Sequence, residues 1–127
     1  MKTITRVLAA IFAVAIVAGC SKERSYSIVG TWRVTSITAK IGGNVISGTD
    51  ENSNMFYEMK NDGTMIEYGT ETKVAEYSYN TELGILTYRY SGNKGYSSAN
   101  ISFSNKNEFD WYEKDEYSEL KMHLKRK

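Results

Sequence analysis

The chain has one cysteine, Cys20, and one histidine, His123, among 127 residues. No disulfide can form within it. His123 also falls on the polar parity of the terminal strand, so neither a catalytic triad nor a histidine-ligated metal centre finds the residues it needs. Charge of one sign is lacking too: 16 basic residues face 15 acidic ones, a formal net charge of +1. A protein that lives on phosphate backbones carries a clear basic excess or stripe, so nucleic acid is not expected as a partner. From Ile28 onward no segment keeps a 3.6-residue apolar period, which excludes a helical fold. Long apolar runs are confined to Val7 to Ala18, twelve residues without a polar side chain.

That run follows Lys2 and Arg6 and gives way to Ser21, Lys22, Glu23 and Arg24. A spanning helix needs roughly 20 apolar residues, so this stretch reads as a signal peptide and not as a membrane anchor. The four residues Val17-Ala18-Gly19-Cys20 resemble the lipobox of bacterial lipoproteins. The resemblance implies cleavage before Cys20 and acylation of its thiol. Chemistry agrees, because a lone thiol in an oxidising envelope is a liability unless it is consumed. Two or three acyl chains anchor stably where one does not. Residues 1–19 are thus expected to be a signal peptide and residues 20–27 a lipidated cysteine with a polar tether. A tether of seven residues reaches no more than about 25 Å. The expected location is the cell envelope, with the membrane as partner through Cys20; Ser21 in place of the aspartate of inner-membrane retention favours the outer membrane. Without the first 19 residues, 14 basic and 15 acidic residues remain, an almost neutral domain.

Residues 28–127 read as one all-β domain. The first run, Thr31 to Lys40, carries Trp32 and Val34 on one face and Ile37 on the other, a parity change that a β-bulge explains. Met55 to Lys60 turns through Asn61-Asp62-Gly63 into Thr64 to Thr70, because Asp-Gly accepts the positive φ of a tight turn. Lys73 to Tyr79 pairs with Ile85 to Tyr90, and Ser97 to Ser104 with Phe109 to Tyr112. The last run, Ser118 to Arg126, alternates Leu120, Met122 and Leu124 against polar residues, which marks a strand with one buried face. Seven or eight strands joined by short hairpins favour an antiparallel up-and-down barrel, since closure removes unpaired edges; a β-sandwich is the alternative.

Ile28-Val29-Gly30-Thr31-Trp32, together with Tyr57-Glu58-Met59-Lys60-Asn61-Asp62-Gly63-Thr64-Met65, resembles the opening strand and the F-K-x-D-G-T-F hairpin of lipocalin-like domains in bacterial lipoproteins. The similarity spans nearly the whole of residues 28–127, although the later lipocalin motifs and a long helix after the barrel are absent. It implies a lipocalin-like barrel whose narrow end is closed by Trp32. Arg126 shares parity with Leu120, Met122 and Leu124 and could stack on that indole.

Six of the ten tyrosines fall between Tyr68 and Tyr96. Ala75, Tyr77 and Tyr79 share one strand face, and Leu86, Tyr88 and Tyr90 share the facing one. If those faces line the barrel, Tyr77, Tyr79, Tyr88 and Tyr90 project four phenols inward, and a ligand-filled or wet interior follows. Equally, they could form ladders outside or fill a barrel that is just wide enough for side chains. The polar stretch Ile41 to Asn54 could lie as a lid over the open end, or be a loop with a brief strand at Val45-Ile46. Asp50-x-Asn52-x-Asn54 starts like a calcium loop but has Met55 at the turn glycine and Asn61 at the bidentate glutamate.

A carboxylate pair such as Glu58 and Glu67, on adjacent strands of the first hairpin, could in principle do acid–base work, and solvated surface carboxylates are the commoner reading. No enzyme activity, metal or cofactor is expected. The acidic run Glu108, Asp110, Glu113, Asp115, Glu116 and Glu119 reads as mostly turn and exposed face, and solubilising. Two functions remain: a membrane-tethered module holding a small amphipathic or hydrophobic ligand, or a filled barrel serving as an accessory subunit of an envelope complex.

Overall fold

A computed structural model describes residues 26–127; Cys20 and the signal peptide lie outside the described residues. Among the described residues nine antiparallel strands run in chain order: β1 (Gly30–Ile41), β2 (Asn44–Thr49), β3 (Phe56–Met59), β4 (Thr64–Tyr68), β5 (Lys73–Asn80), β6 (Ile85–Tyr90), β7 (Ser97–Asn105), β8 (Glu108–Lys114) and β9 (Ser118–Arg126). Strands β3 to β9 pair with their neighbours in sequence, and β9 returns to β1. Eight strands therefore close into a barrel, consistent with a lipocalin-like architecture, and β2 is an extra strand outside it. Closure rules out the sandwich. It also gives β9 partners on both sides, so the terminal strand is no edge.

The parity change in β1 is resolved by a bulge. The β1–β9 register shifts between Val34 and Ser36. Thr35, the extra residue, is buried, and its hydroxyl donates to the His123 carbonyl. The bulge has a second consequence. Below it β1 pairs with β3 through Gly30 to Arg33, and above it the same edge pairs with β2 through Ser36 to Ile41. The stretch Ile41 to Asn54 is thus mostly a hairpin arm on β1. It is held to the wall by the Asp50 amide on the Thr35 carbonyl at 2.8 Å, and by Ser53 Oγ on the Val34 carbonyl. Asp50 Oδ1 accepts the Asn52 amide at 2.9 Å, a local turn bond.

Alternate residues of every barrel strand fill the interior. Trp32, Met59, Met65, Leu86, Phe109, Trp111 and Leu124 are the largest fully buried side chains. At the end where β1 begins, Trp32 meets Phe109 edge-on at 4.6 Å between ring centroids, and Phe103 lies 5.2 Å from Phe109. At mid-height Tyr57 from β3 and Tyr88 from β6 lie 5.0 and 5.5 Å from the Trp111 ring on β8. Aromatic rings thus bridge the barrel from wall to wall, each such pair adding roughly 0.5–1.5 kcal/mol beyond area burial.

Candidate functional site

The two ends of the barrel differ. One collects the β1 start, the β9 end and the β3–β4, β5–β6 and β7–β8 turns. Here the Arg126 guanidinium lies 4.2 Å from the centre of the Trp32 ring. Its nitrogens donate to the Val29 carbonyl at 3.1 Å, the Lys106 carbonyl at 2.9 Å and Asn107 Oδ1 at 3.2 Å. Trp32 Nε1 donates to the Ile28 carbonyl at 2.9 Å. Gly30 is required at this spot: its φ is 144°, and a Cβ would collide with the Arg126 guanidinium. This end is closed, and the chain that leads back toward Cys20 leaves from it.

The four tyrosines do share the inner face, but their hydroxyls bond at different heights of the barrel. Tyr77 donates to the Lys60 carbonyl at 2.6 Å, near the closed end, and Tyr79 lines a groove beside the β5–β6 turn with Leu83 and Phe103. Tyr88 and Tyr90 point toward the opposite end. The Tyr77 hydroxyl thus bonds near the closed end, and those of Tyr88 and Tyr90 bond toward the other.

At that opposite end the inner surface turns polar. Glu67 on β4 lies across from Tyr57, on the inward face, and Tyr90 donates to its Oε1. Glu113 on β8 follows Phe109 and Trp111 in the alternation and also points inward. Its Oε2 accepts both the Tyr88 hydroxyl and, at 2.6 Å, the Trp111 indole N–H. Among the described residues Glu113 Oε1 has no donor. Burial, followed by the neighbouring Tyr90 and Glu67, raises the Tyr57 pKa well above its ordinary value. Burial and then the bond to Glu113 raise that of Tyr88, and burial and then the bond to Glu67 that of Tyr90. The three phenols therefore remain protonated donors across the physiological range, aimed at two carboxylates. A groove of about 460 Å³ opens beside Glu113 and Leu120, walled by Tyr96, Ser97 and Ser118.

One expectation needs correction here. Glu58 and Glu67 are not a pair: cross-strand partners show that Glu67 faces inward with Tyr57, while Glu58 faces outward with Ile66 and accepts from Tyr68 at 3.0 Å. The acidic run reads as mostly turn and exposed face, and Glu113 is its inward member. Glu113 is internal, and the signal was present in the sequence as the third member of the alternation Phe109, Trp111, Glu113.

On the outer wall, His123 bridges two carboxylates, with Nδ1 2.7 Å from Asp110 Oδ1 and Nε2 2.8 Å from Glu108 Oε1. Partial burial disfavours its charged form, but the two carboxylates outweigh this and raise its pKa above 6.5. A group with a raised folded pKa contributes stability that is fully present below the unfolded value and is lost as pH rises through the folded one. The Glu108 pKa is lowered, chiefly by the bond to His123, and its share is lost only in acid. Thermal melts of the wild type should therefore lose stability as pH rises through and above 6.5, and a His123→Gln variant should show a flatter profile there.

No family model matches this chain, and neither a curated protein nor a solved structure matches it.

Proposed function

We propose that this chain is a lipid-anchored envelope protein, on the outer membrane, whose barrel holds a small amphipathic ligand at its open mouth, with a cationic group of the ligand set against Glu113 and Glu67. The observation that carries this reading is Glu113. An inward carboxylate whose one oxygen is held by Tyr88 and Trp111, with the other directed to no protein donor, offers a fixed negative acceptor beside aromatic faces, the surroundings a cation prefers. The apolar part of the ligand rests on Leu120 and the rim of the groove. Of the four tyrosines, Tyr88 and Tyr90 serve this floor, while Tyr77 and Tyr79 belong to the wall nearer the closed end. The lipid anchor rests on the lipobox at Cys20. Since the chain leaves the barrel at the Trp32–Arg126 end, the mouth is the end away from the tether.

Octylamine, octanol and octanoate probe this site, because they share an apolar chain and differ in head group. Titration followed by tryptophan emission should show saturable binding of octylamine through Trp111. In Glu113→Gln it should weaken tenfold or more. Equal binding of all three probes, or octylamine binding unchanged in Glu113→Gln, would contradict the reading. The other function class, an accessory subunit with a filled barrel, draws on the aromatic bridge at Tyr57, Trp111 and Tyr88; it predicts no saturable binding at all.

A further inference from the structure

Barrel closure leaves one free sheet edge among the described residues, and it belongs to β2. All six of its residues are exposed, Val45 and Ile46 at 62% each. Natural edge strands are guarded by charge, proline or a bulge. The sequence Asn-Val-Ile-Ser-Gly-Thr carries no charged residue and no proline, and its pairing with β1 runs without a register shift.

Which backbone groups are free follows from the register. Ile41 and Asn44 close a two-residue turn, and the Asp50 amide bonds to the Thr35 carbonyl. By alternation, Asn44, Ile46, Gly48 and Asp50 turn their N–H and C=O toward β1, and Val45, Ser47 and Thr49 turn theirs outward. We propose that β2 pairs antiparallel with β2 of a second copy of this chain about a two-fold axis through Ser47. That register is the one in which all three outward residues of both strands bond, with Val45 opposite Thr49, Ser47 opposite Ser47 and Thr49 opposite Val45. It also sets Ile46 of each copy over Gly48 of the other.

Gly48 is the independent observation. Its φ is not in the left-handed region, and an added Cβ would meet nothing within 4 Å. Nothing in the single chain requires a glycine there, whereas the pair uses the open space for an isoleucine side chain. The second copy is thus favoured over an arbitrary extended peptide, because its strand supplies both the uncharged edge and the size match. Six strand residues a side fall short of the roughly 20–30 of a standard interface, so the pair dissociates on dilution. The two-fold turns the closed ends in opposite directions. On one bilayer both barrels lie along the surface, which a tether of up to about 25 Å permits.

Cysteine scanning of the full chain in its membrane tests the register. Ser47→Cys should form a disulfide-linked dimer under mild oxidation at least tenfold above the parent chain, whose one cysteine, Cys20, has its thiol acylated in the proposed mature protein. Val45→Cys, which faces Thr49 of the other copy, should stay at the level of the parent chain. A Ser47→Lys variant should reduce dimer detected by a chemical cross-linker tenfold while leaving the melting temperature of the monomer unchanged. Ser47→Cys linking no better than the parent, linking chiefly to a different protein, or Val45→Cys linking equally well would overturn the proposal.

Discussion

Trp32→Ala should lower the stability of the barrel by about 3–5 kcal/mol, the range for removing a fully buried tryptophan. Trp32 has no exposed surface, and its ring contacts Phe109 and Phe103. Truncation opens a cavity where β1, β7 and β8 meet. It also leaves the Ile28 carbonyl without its indole donor and strips the Arg126 guanidinium of the ring beneath it. Because domains of this size are stable by only about 5–15 kcal/mol, such a loss brings the fold close to its limit. Urea unfolding followed by the emission of the remaining Trp111 measures it. Leu83→Ala, at a turn position with 68% exposure, should change stability by no more than about 0.5 kcal/mol. A Trp32→Ala loss as small as that of Leu83→Ala would show that this end is not what holds the barrel shut.

Cys20→Ala should abolish acylation outright. The proposed lipid anchor takes the thiol of Cys20 as the acyl acceptor, and it is the only cysteine in the chain. Each buried methylene contributes about 0.8 kcal/mol to anchoring, so the step from acylated to bare chain removes the whole of a stable anchor. Metabolic labelling with palmitate should mark the parent and leave Cys20→Ala unlabelled. A variant that still takes label places the lipid elsewhere.

The fold was legible in the sequence wherever a strand was long enough to show its alternation. Leu120, Met122 and Leu124 mark the inner face of β9, and Asp62-Gly63 marks the β3–β4 turn, where Gly63 takes a φ of 90°. The bulge at Thr35 was readable as a conflict of parity between Val34 and Ile37. The arm formed by β2 was much less so, because every residue of that strand is exposed and leaves no buried face to set a period. The mouth was misread for a different reason. Glu67 and Glu113 are acidic, acidic residues are mostly solvated, and composition outweighed the alternation that places them inside beside Met65 and Trp111. Their phenol partners come from β6, far along the chain, and only barrel closure brings them together.

The same closure moves the site relative to the anchor. A short tether suggests that ligands are met at the bilayer, but the chain leaves from the closed end, and the carboxylates lie at the other. On the proposed reading the mouth receives its ligand from the aqueous side.

The mass of the protein extracted intact from its own membrane and sprayed under native conditions tests the central reading most directly. The expected species is a 108-residue chain beginning at Cys20, heavier by its acyl groups and by one small noncovalent ligand that is absent from Glu113→Gln. A chain with an unmodified Cys20, or an acylated chain that carries no ligand at all, would contradict it.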